Sequence, residues 1–324
     1  MTAAARIAEA LRSRRHVLLL NHESPDGDSL GSTLALAHAL WGRGQRALVG
    51  SVDGVPEMYR FLPASERVVS DVPPGETFDA VVFMECSTPE RAGELAARAA
   101  GVPLWVNIDH HVSNAGYGDL MLSDVTASAV GELVYPVVQA LVPALDRAMA
   151  TCLMTALLTD TGSFRYASVT PRTFTVAAEL LAAGASPVEV YAQVYENRPA
   201  SSLRLLGMAL SRLTVSEDGR VAWTAVTQAM LREVGASMEE AEGIVSTLRA
   251  LRGVQVAIVF KEEPDAIRVS LRGRGGVRAH MIAEAFGGGG HAAAAGFTAR
   301  GALPDVVRQT LDAVRRELGA AAAP

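Results

Sequence analysis

The sequence is poor in cysteine and in long apolar runs, and each shortage excludes a class of protein. Two cysteines, Cys86 and Cys152, cannot form a disulfide framework in a chain of 324 residues. No apolar run reaches the roughly 20 residues that a membrane helix needs. The first residues also lack the apolar segment of a signal peptide. We therefore expect a cytoplasmic protein with no membrane span.

Lysine is almost absent, and basic residues do not exceed acidic ones. Lys261 is the single lysine, and the chain has 29 Lys and Arg residues against 35 Asp and Glu, a net charge of −6. A protein that holds long nucleic acid through its phosphates usually has a large basic surface. The charge therefore disfavours a long nucleic acid. It leaves room for a short polyanion that is held by metal ions or by a local arginine cluster.

The length and the order of apolar patterns predict two domains. A chain of 324 residues that is 49% hydrophobic is long for a single core. Its first two-thirds alternates strand-like and helix-like runs, which indicates a parallel sheet with helices on both faces. The predicted class is α/β, with a parallel-sheet N-terminal domain and a smaller, mixed-sheet α/β C-terminal domain. The predicted boundaries are 1–187, a helical linker at 188–213, and 214–324.

Acidic and histidine residues cluster where apolar segments of the N-terminal domain end. The clusters lie at residues 22–28, 85–87, 109–111 and 159–162. In parallel sheets, ligands bind beyond the carboxyl ends of the strands. We therefore expect the four clusters to converge at one edge of the sheet.

The converging residues suit two divalent cations. Hard cations such as Mn²⁺ and Mg²⁺ favour carboxylate oxygen, and Mn²⁺ also accepts imidazole. Four carboxylates would repel one another in an empty site, whereas two divalent ions balance their charge. Such ion pairs clamp the attacking and leaving oxygens of a phosphoryl transfer. The predicted ligands are His22, Asp26, Asp28, Glu85, His110 and Asp160.

Each cluster also has an ordinary structural interpretation. The Asp26 turn could simply cap a helix, the histidine pair could lie on a surface loop, and Asp160 could mark a helix end in solvent. A buried aspartate, however, is costly unless it is paired or bound to metal. We also expect Asp109 to orient the His110 ring by accepting a hydrogen bond from it. The combination of clusters favours the metal site.

The C-terminal domain supplies groups that could hold a phosphate ester. Arg268, Ser270 and Arg272 alternate along a predicted strand and share one face, and arginine suits bidentate phosphate contacts. A run of four glycines follows, which is useful where backbone amides approach a ligand closely. A solvated basic strand and a helix-capping histidine are the alternatives. The predicted substrate residues are Arg268, Ser270, Arg272, Gly288, Gly289, Gly290 and His291.

These motifs, in this order, resemble those of the DHH/DHHA1 phosphoesterases. The resemblance covers nearly the whole chain and is closest to the branch of oligoribonucleases that also hydrolyse 3′-phosphoadenosine-5′-phosphate (pAp). The matching motifs are His22-x-x-x-Asp26-x-Asp28-x-x-Gly31-Ser32, Asp109-His110-His111, Asp160-Thr-Gly162-x-Phe164, and Ser270-x-Arg272 followed by Gly287-Gly-Gly-Gly-His291.

The resemblance implies a metal-dependent phosphodiesterase that degrades short RNA or DNA oligonucleotides to nucleoside monophosphates and converts pAp to AMP and phosphate. It implies two divalent ions, usually Mn²⁺, with Mg²⁺ or Co²⁺ as alternatives. Asp109 and His111 are the catalytic candidates, with His111 near the scissile phosphate. Arg272 and His291 would grip the substrate. A homodimer is left open.

One residue departs from the family pattern. The family normally has aspartate at the position of Glu85, where the carboxylate bridges the two metals, so the extra methylene puts metal spacing and metal preference in question. Alternatives with the same chemistry are a cyclic or linear dinucleotide phosphodiesterase, a RecJ-like single-strand exonuclease and an inorganic pyrophosphatase. Glu85 also prompts a non-enzymatic alternative, a catalytically silent nucleotide sensor.

Overall fold

The chain divides after Asn197 into two compact units, each with its own sheet and core. The structure is a computed structural model, and it describes residues 1–321. The last three residues of the predicted domain 214–324 lie outside the described residues. The α/β class, with a parallel sheet in the first unit and a mixed sheet in the second, is confirmed.

The sheet of the first unit is parallel, with strand order β3-β2-β1-β4-β5-β6. Its central strands read as continuous apolar runs because both faces are buried. The edge strands β3 and β6 are short and partly exposed, and the apolar pattern of the sequence did not reveal them. The strands are β1 (His16–Asn21), β2 (Arg46–Gly50), β3 (Val68–Val69), β4 (Ala80–Met84), β5 (Trp105–Asp109) and β6 (Leu120–Ser123).

The helices of the first unit cover this sheet and form its main hydrophobic core. The sequence pattern of residues 126–142 predicts a helix, but the helix begins only at Gly131, because residues 126–130 form a turn whose backbone atoms serve the site described below. The helices are α1 (Ala3–Arg12), α2 (Gly27–Gly42), α3 (Gly131–Leu141), α4 (Arg147–Asp160), α5 (Pro171–Ala182) and α6 (Pro187–Tyr191).

Two glycines one turn apart allow α2 and α4 to approach closely. A Cβ added at Gly31 would lie 2.3 Å from the carbonyl oxygen of Cys152, and one added at Gly27 would lie 2.5 Å from the Thr159 side chain. Separations this short are steric overlaps, so only glycine fits at either position. The close approach brings the start of α2 beside the end of α4, where Asp160 lies.

The second unit contains a mixed sheet with strand order β11-β12-β10-β9-β8-β7, in which only the β8–β9 pairing is parallel among the described residues. Helices α7, α8 and α9 pack on one face, and α10 and α11 on the other. The strands are β7 (Thr214–Val215), β8 (Val221–Val226), β9 (Val256–Glu262), β10 (Ile267–Gly273), β11 (Gly289–Gly290) and β12 (Ala294–Ala299). The helices are α7 (Ala200–Ser211), α8 (Gln228–Val234), α9 (Ile244–Arg249), α10 (Ala279–Glu284) and α11 (Leu303–Ala321).

Two stretches expected to be helical are interrupted. The sequence pattern predicts one helix over residues 238–251, and this prediction is wrong. A 3₁₀ turn at Glu239–Ala241 and α9 are separated at Gly243, whose φ of 86° belongs to the left-handed region. The segment 188–213 is divided, because α6 belongs to the first unit and α7 to the second. Its role as a linker stays a prediction. No helix of the described residues is long and apolar enough to cross a membrane.

Candidate active site

Three predicted site residues lie at the carboxyl ends of neighbouring strands, at the same level of the sheet. In the strand register, Asn21 lies opposite Met84, and Met84 lies opposite Ile108. The next residue along each strand is His22, Glu85 and Asp109, respectively. The carboxyl edge of β1, β4 and β5 therefore carries an imidazole and two carboxylates side by side, as parallel-sheet geometry requires.

The N-terminus of α2 supplies two more carboxylates. Asp26 is the N-cap, and its side chain accepts hydrogen bonds from the backbone N–H groups of Asp28 and Ser29 at 3.0 and 2.9 Å. Asp28 is fully buried and accepts from the backbone N–H groups of Val130 and Gly131 at 2.5 and 2.9 Å. The capping interpretation of the Asp26 turn is thus correct. Capping fixes the Asp26 carboxylate, and the two N–H groups at the start of α3 fix that of Asp28.

The two candidate imidazole ligands are held in one tautomer. His22 Nδ1 donates to the carbonyl oxygen of Glu23 at 2.7 Å, and His110 Nδ1 donates to the carbonyl oxygen of Ala127 at 3.0 Å. Each ring therefore presents Nε2 to the acidic cluster. Metal-binding histidines in proteins are oriented in this way by a hydrogen bond from the other ring nitrogen.

The six predicted ligands form two groups connected by one carboxylate. Within each group the candidate ligand atoms lie within 4.8 Å of one another. Glu85 Oε2 lies 3.8 Å from His22 Nε2, and Glu85 Oε1 lies 3.7 Å from His110 Nε2. The first group is His22, Asp26 and Glu85, and the second is Asp28, His110 and Asp160. One oxygen of Glu85 therefore faces each group.

In the absence of cations, the carboxylates of this cluster repel one another and are buried. Burial, and then the charge of Glu85, raise the pKa values of Asp26 and Asp28. Burial likewise raises the pKa of Asp160 to about 7. Burial alone would raise the pKa of Glu85 as well, but the close approach of the His110 and His22 imidazoles holds it well below its usual value. Glu85 is thus the carboxylate that keeps its charge most firmly.

The donor set fits divalent cations. Four carboxylates and two imidazoles converge, and the second group is nearly closed to solvent, with His110 at 3% and Asp160 at 22% side-chain exposure. Glu85 Oε2 is buried and has no hydrogen-bond partner among the described residues. A buried, charged oxygen without a donor is costly, and a cation at this position would remove that cost. Mixed carboxylate and imidazole ligands suit Mn²⁺.

Asp109 orients His111 and not His110, which corrects the expectation from the sequence. Its Oδ1 accepts from the His111 ring Nδ1 at 2.8 Å and from the backbone N–H of His110 at 2.8 Å. Its Oδ2 accepts from Asn114 Nδ2 at 2.5 Å. The expectation failed because the His110 ring Nδ1 donates to the Ala127 carbonyl oxygen instead. The sequence also gave no sign of Ala127, Val130 and Gly131, whose backbone atoms form the hydrogen bonds that orient His110 and Asp28.

The predicted substrate residues of β10 share one half-buried face of the second sheet. Arg268, Ser270 and Arg272 alternate with fully buried apolar neighbours. Arg268 lies opposite buried Lys261 in the register and forms an ion pair with Glu263 at 3.2 Å. The Nε atoms of Arg268 and Arg272 are both buried without a hydrogen-bond partner within the described part of the chain, but that of Arg268 lies in the ion pair with Glu263. Arg272 is therefore the arginine of this strand best placed to gain from binding an anion.

The glycine run is shaped by close backbone packing. A Cβ at Gly288 would lie 2.2 Å from the Gly296 carbonyl oxygen, and Gly290 has a φ of 135°. The backbone N–H of Gly288 donates to the Ala283 carbonyl, and Gly289–Gly290 pair with β12. The run therefore connects α10 to β12, and His291 follows it directly. A role of Gly288, Gly289, Gly290 and His291 in substrate binding stays a prediction.

Comparison with known proteins identifies the class. Residues 16–157 match the N-terminal domain of the DHH family, and residues 221–320 match the DHHA1 domain. The chain therefore belongs to the DHH family, in the group of phosphoesterases that carry a DHHA1 domain, and the resemblance seen in the sequence is confirmed. DHH phosphoesterases are metal-dependent hydrolases, in agreement with the two clusters of acids and histidines.

Two curated proteins and one solved structure of this class are similar to the chain over most of its length. The chain is 35% identical over 320 residues to the bifunctional oligoribonuclease and PAP phosphatase NrnA of Thermus thermophilus, covering 96% of this chain and 93% of that protein. It is 29% identical over 284 residues to the protein of the same name from Bacillus subtilis, covering 86% and 88%. The crystal structure of an exopolyphosphatase-related protein from Bacteroides fragilis has the same fold, with a TM-score of 0.91, 24% identity and coverage of 99% and 98%.

Proposed function

We propose that the protein is a two-metal phosphoesterase that hydrolyses short oligoribonucleotides to nucleoside monophosphates and pAp to AMP and phosphate. The observation that carries the proposal is the pair of three-residue groups with Glu85 between them. The names of the NrnA relatives supply the substrate class. An acidic net charge of −6 agrees with substrates too short to need a long basic groove.

The first ion would be held by the group of His22 and Asp26, the second by the group of Asp28, His110 and Asp160, and both would share Glu85. Bound divalent ions lower the pKa of a water molecule and stabilise the charge of the attacking and leaving oxygens. Mn²⁺ is the proposed metal because each group combines an imidazole with carboxylates. Mg²⁺ and Co²⁺ are the alternatives for the same ligands.

His111 is the proposed partner of the scissile phosphate. Its Nδ1 donates to Asp109, which fixes the orientation of the ring, and the ring retains partial exposure. The buried carboxylate of Asp109 holds the ring in place. With a proton on Nε2, His111 would donate to a phosphate oxygen or to the leaving group, while Asp109 acts through it.

The second unit would bind the nucleotide through its basic strand. Arg272, with its buried Nε, is proposed to contact a phosphate, and Arg268 and Ser270 lie on the same face. His291 is proposed as a further donor. A cytoplasmic location and a homodimer stay predictions.

A comparison of substrates tests the proposal. The enzyme would be incubated with Mn²⁺ and a ribodinucleotide, pAp, a linear and a cyclic dinucleotide, or a long single strand, and the products separated by chromatography. We expect the ribodinucleotide and pAp to be turned over fastest, and Asp160→Asn to remove that activity. Faster hydrolysis of the cyclic dinucleotide or of the long strand would replace the proposed function with the corresponding alternative. No turnover of any substrate would support the silent sensor.

A further inference from the structure

Glu85 has an unusual backbone conformation for a residue with a long side chain. Its φ is 58°, in the left-handed region that glycine, asparagine and aspartate tolerate better than glutamate does. Its backbone N–H still donates to the carbonyl oxygen of Ile108 at 2.8 Å, so the reversal occurs directly at the end of β4. A conformation of this kind persists only where neighbouring groups hold it in place.

The groups that hold this turn converge on the next peptide. The carbonyl oxygen of Cys86 accepts a hydrogen bond from Asn107 Nδ2 at 3.0 Å and one from the Tyr117 hydroxyl at 2.9 Å. One residue further, the Ser87 carbonyl accepts from the backbone N–H of Ala115 at 2.9 Å. The chain that leaves Glu85 is therefore bonded to β5 and to the loop that follows it.

Asn107 connects this turn to the Asp109-His110-His111 segment. It is a fully buried asparagine in a strand whose neighbours Val106 and Ile108 are apolar. Its Oδ1 accepts from Asn114 Nδ2 at 2.8 Å, and the same Asn114 nitrogen donates to Asp109. Buried polar side chains are retained where their hydrogen bonds specify a geometry, and this one specifies the relation between two site segments.

Tyr117 supplies the second donor from a fixed ring. The ring packs edge-on against Phe83, with 5.5 Å between centroids. Burial raises the pKa of Tyr117, so its hydroxyl keeps its proton and remains a donor. Phenylalanine at this position would keep the ring contact and lose only the hydrogen bond.

We propose that Asn107 and Tyr117 are positioning residues that clamp the Cys86 carbonyl and thereby keep the Glu85 carboxylate between the two metal groups. The inference rests on the proposed two-metal function. Rotation of residue 85 toward the extended region would swing its carboxylate away from the positions 3.8 and 3.7 Å from the two imidazoles. The clamp opposes that rotation, so its loss should weaken metal binding without removing a ligand.

Tyr117→Phe tests the clamp through metal binding. Chelator-treated enzyme would be titrated with Mn²⁺, with binding followed by calorimetry and by the EPR signal of free Mn²⁺, and folding checked by circular dichroism. Loss of one hydrogen bond should weaken at least one of the two binding steps about three- to tenfold. Asn107→Ser removes the other donor to the same carbonyl and should have the same selective effect.

Tyr135→Phe is the matched control. Tyr135 is a buried tyrosine of the first unit whose hydroxyl accepts a hydrogen bond from Gln139 Nε2 at 2.6 Å, and neither residue is a candidate metal ligand. This variant should bind Mn²⁺ as the wild type does.

A second test combines the substitutions. In the Glu85→Asp background, Tyr117→Phe should weaken Mn²⁺ binding less than it does in the wild type, because aspartate adopts the left-handed conformation more readily.

The results of these Mn²⁺ titrations distinguish a failure of the clamp from a failure of the proposed two-metal function. A wild type that binds two Mn²⁺ ions, with Tyr117→Phe and Asn107→Ser binding them equally tightly, would overturn the clamp alone. The clamp is also overturned if Tyr117→Phe has the same effect in both backgrounds, or loses affinity only in proportion to a general loss of folding. A wild type that binds fewer than two ions would overturn the proposed function and the clamp together.

Discussion

Glu85→Gln removes the charge of the shared carboxylate while keeping the length of the side chain. The wild-type side chain is 3% exposed, and its oxygens lie 3.8 and 3.7 Å from the Nε2 atoms of His22 and His110. Substitution would leave three carboxylates to balance two divalent ions. Because the amide has nearly the same shape as the carboxylate, the change in metal binding reports the charge and not the packing.

The expected size of the effect follows from the burial. Two unit charges about 4 Å apart interact by about 4 kcal/mol at an effective dielectric constant near 20. Removal of one partner from a buried charge pair typically costs about 3–5 kcal/mol. At about 1.4 kcal/mol per tenfold change, this predicts a loss of roughly 100- to 4000-fold in the affinity for at least one ion. Glu85→Asp keeps the charge, and its loss should be smaller.

The assay is a Mn²⁺ titration of chelator-treated protein, with hydrolysis of a ribodinucleotide measured in parallel. Glu90→Gln is the control, because Glu90 is an exposed acid five residues further along the chain, and it should leave both measurements unchanged. If Glu85→Gln binds two Mn²⁺ ions with wild-type affinity, Glu85 does not bridge the two groups and its charge does not hold the metals.

Three further predictions concern protons, packing and substrate. Burial raises the pKa of Asp160 to about 7, while pairing with Glu85 outweighs burial and raises that of His22 to about 9. Both side chains hold protons at pH 6, and a bound metal must displace them, so the affinity for Mn²⁺ should rise from pH 6 to 8. Calorimetry in two buffers measures the released protons, and an affinity that does not change with pH would contradict this prediction. Gly31→Ala places a Cβ 2.3 Å from an α4 carbonyl oxygen and should lower the free energy of unfolding in urea by about 1–3 kcal/mol, whereas Gly42→Ala, in open space, should not. Arg272→Ala should lower kcat/KM about ten- to a hundredfold with metal content unchanged, and loss of metal would show that its position is misassigned.

The sequence predicted the strand ends of the first unit well because the physics there is local. Continuous apolar runs indicate buried parallel strands, and the residue after each run must lie at the carboxyl edge. That argument alone places His22, Glu85 and Asp109 side by side, as the strand register shows. The sequence also predicted which residues of β10 share a face, because side chains along a strand point to alternate faces with a period of two.

Other features depend on contacts between segments far apart in the chain. The carbonyl of Ala127 and the N–H groups of Val130 and Gly131 orient two candidate ligands, and backbone atoms leave no mark in the residue pattern. The assignment of the Asp109 hydrogen bond to the wrong histidine has the same origin. Two adjacent rings in a loop are equivalent in sequence, and only the fold decides which one faces the carboxylate.

The sequence likewise predicted the roles of the glycines only in part. The sequence suggested that the run before His291 approaches a ligand, but the fold gives Gly288 and Gly290 a packing reason first, since a Cβ at either would overlap the backbone of β12. Gly31 was noted only as part of a motif, whereas the structure shows that it determines how closely α2 and α4 approach. A steric requirement of this kind appears only when the opposing backbone is known.

The most direct test of the account is a crystal structure of the protein with Mn²⁺, with anomalous difference maps recorded at the manganese absorption edge. The account predicts two peaks, one bound by His22, Asp26 and Glu85 and the other by Asp28, His110, Asp160 and the second oxygen of Glu85. A single peak, or two peaks with Glu85 turned away from both, would contradict it.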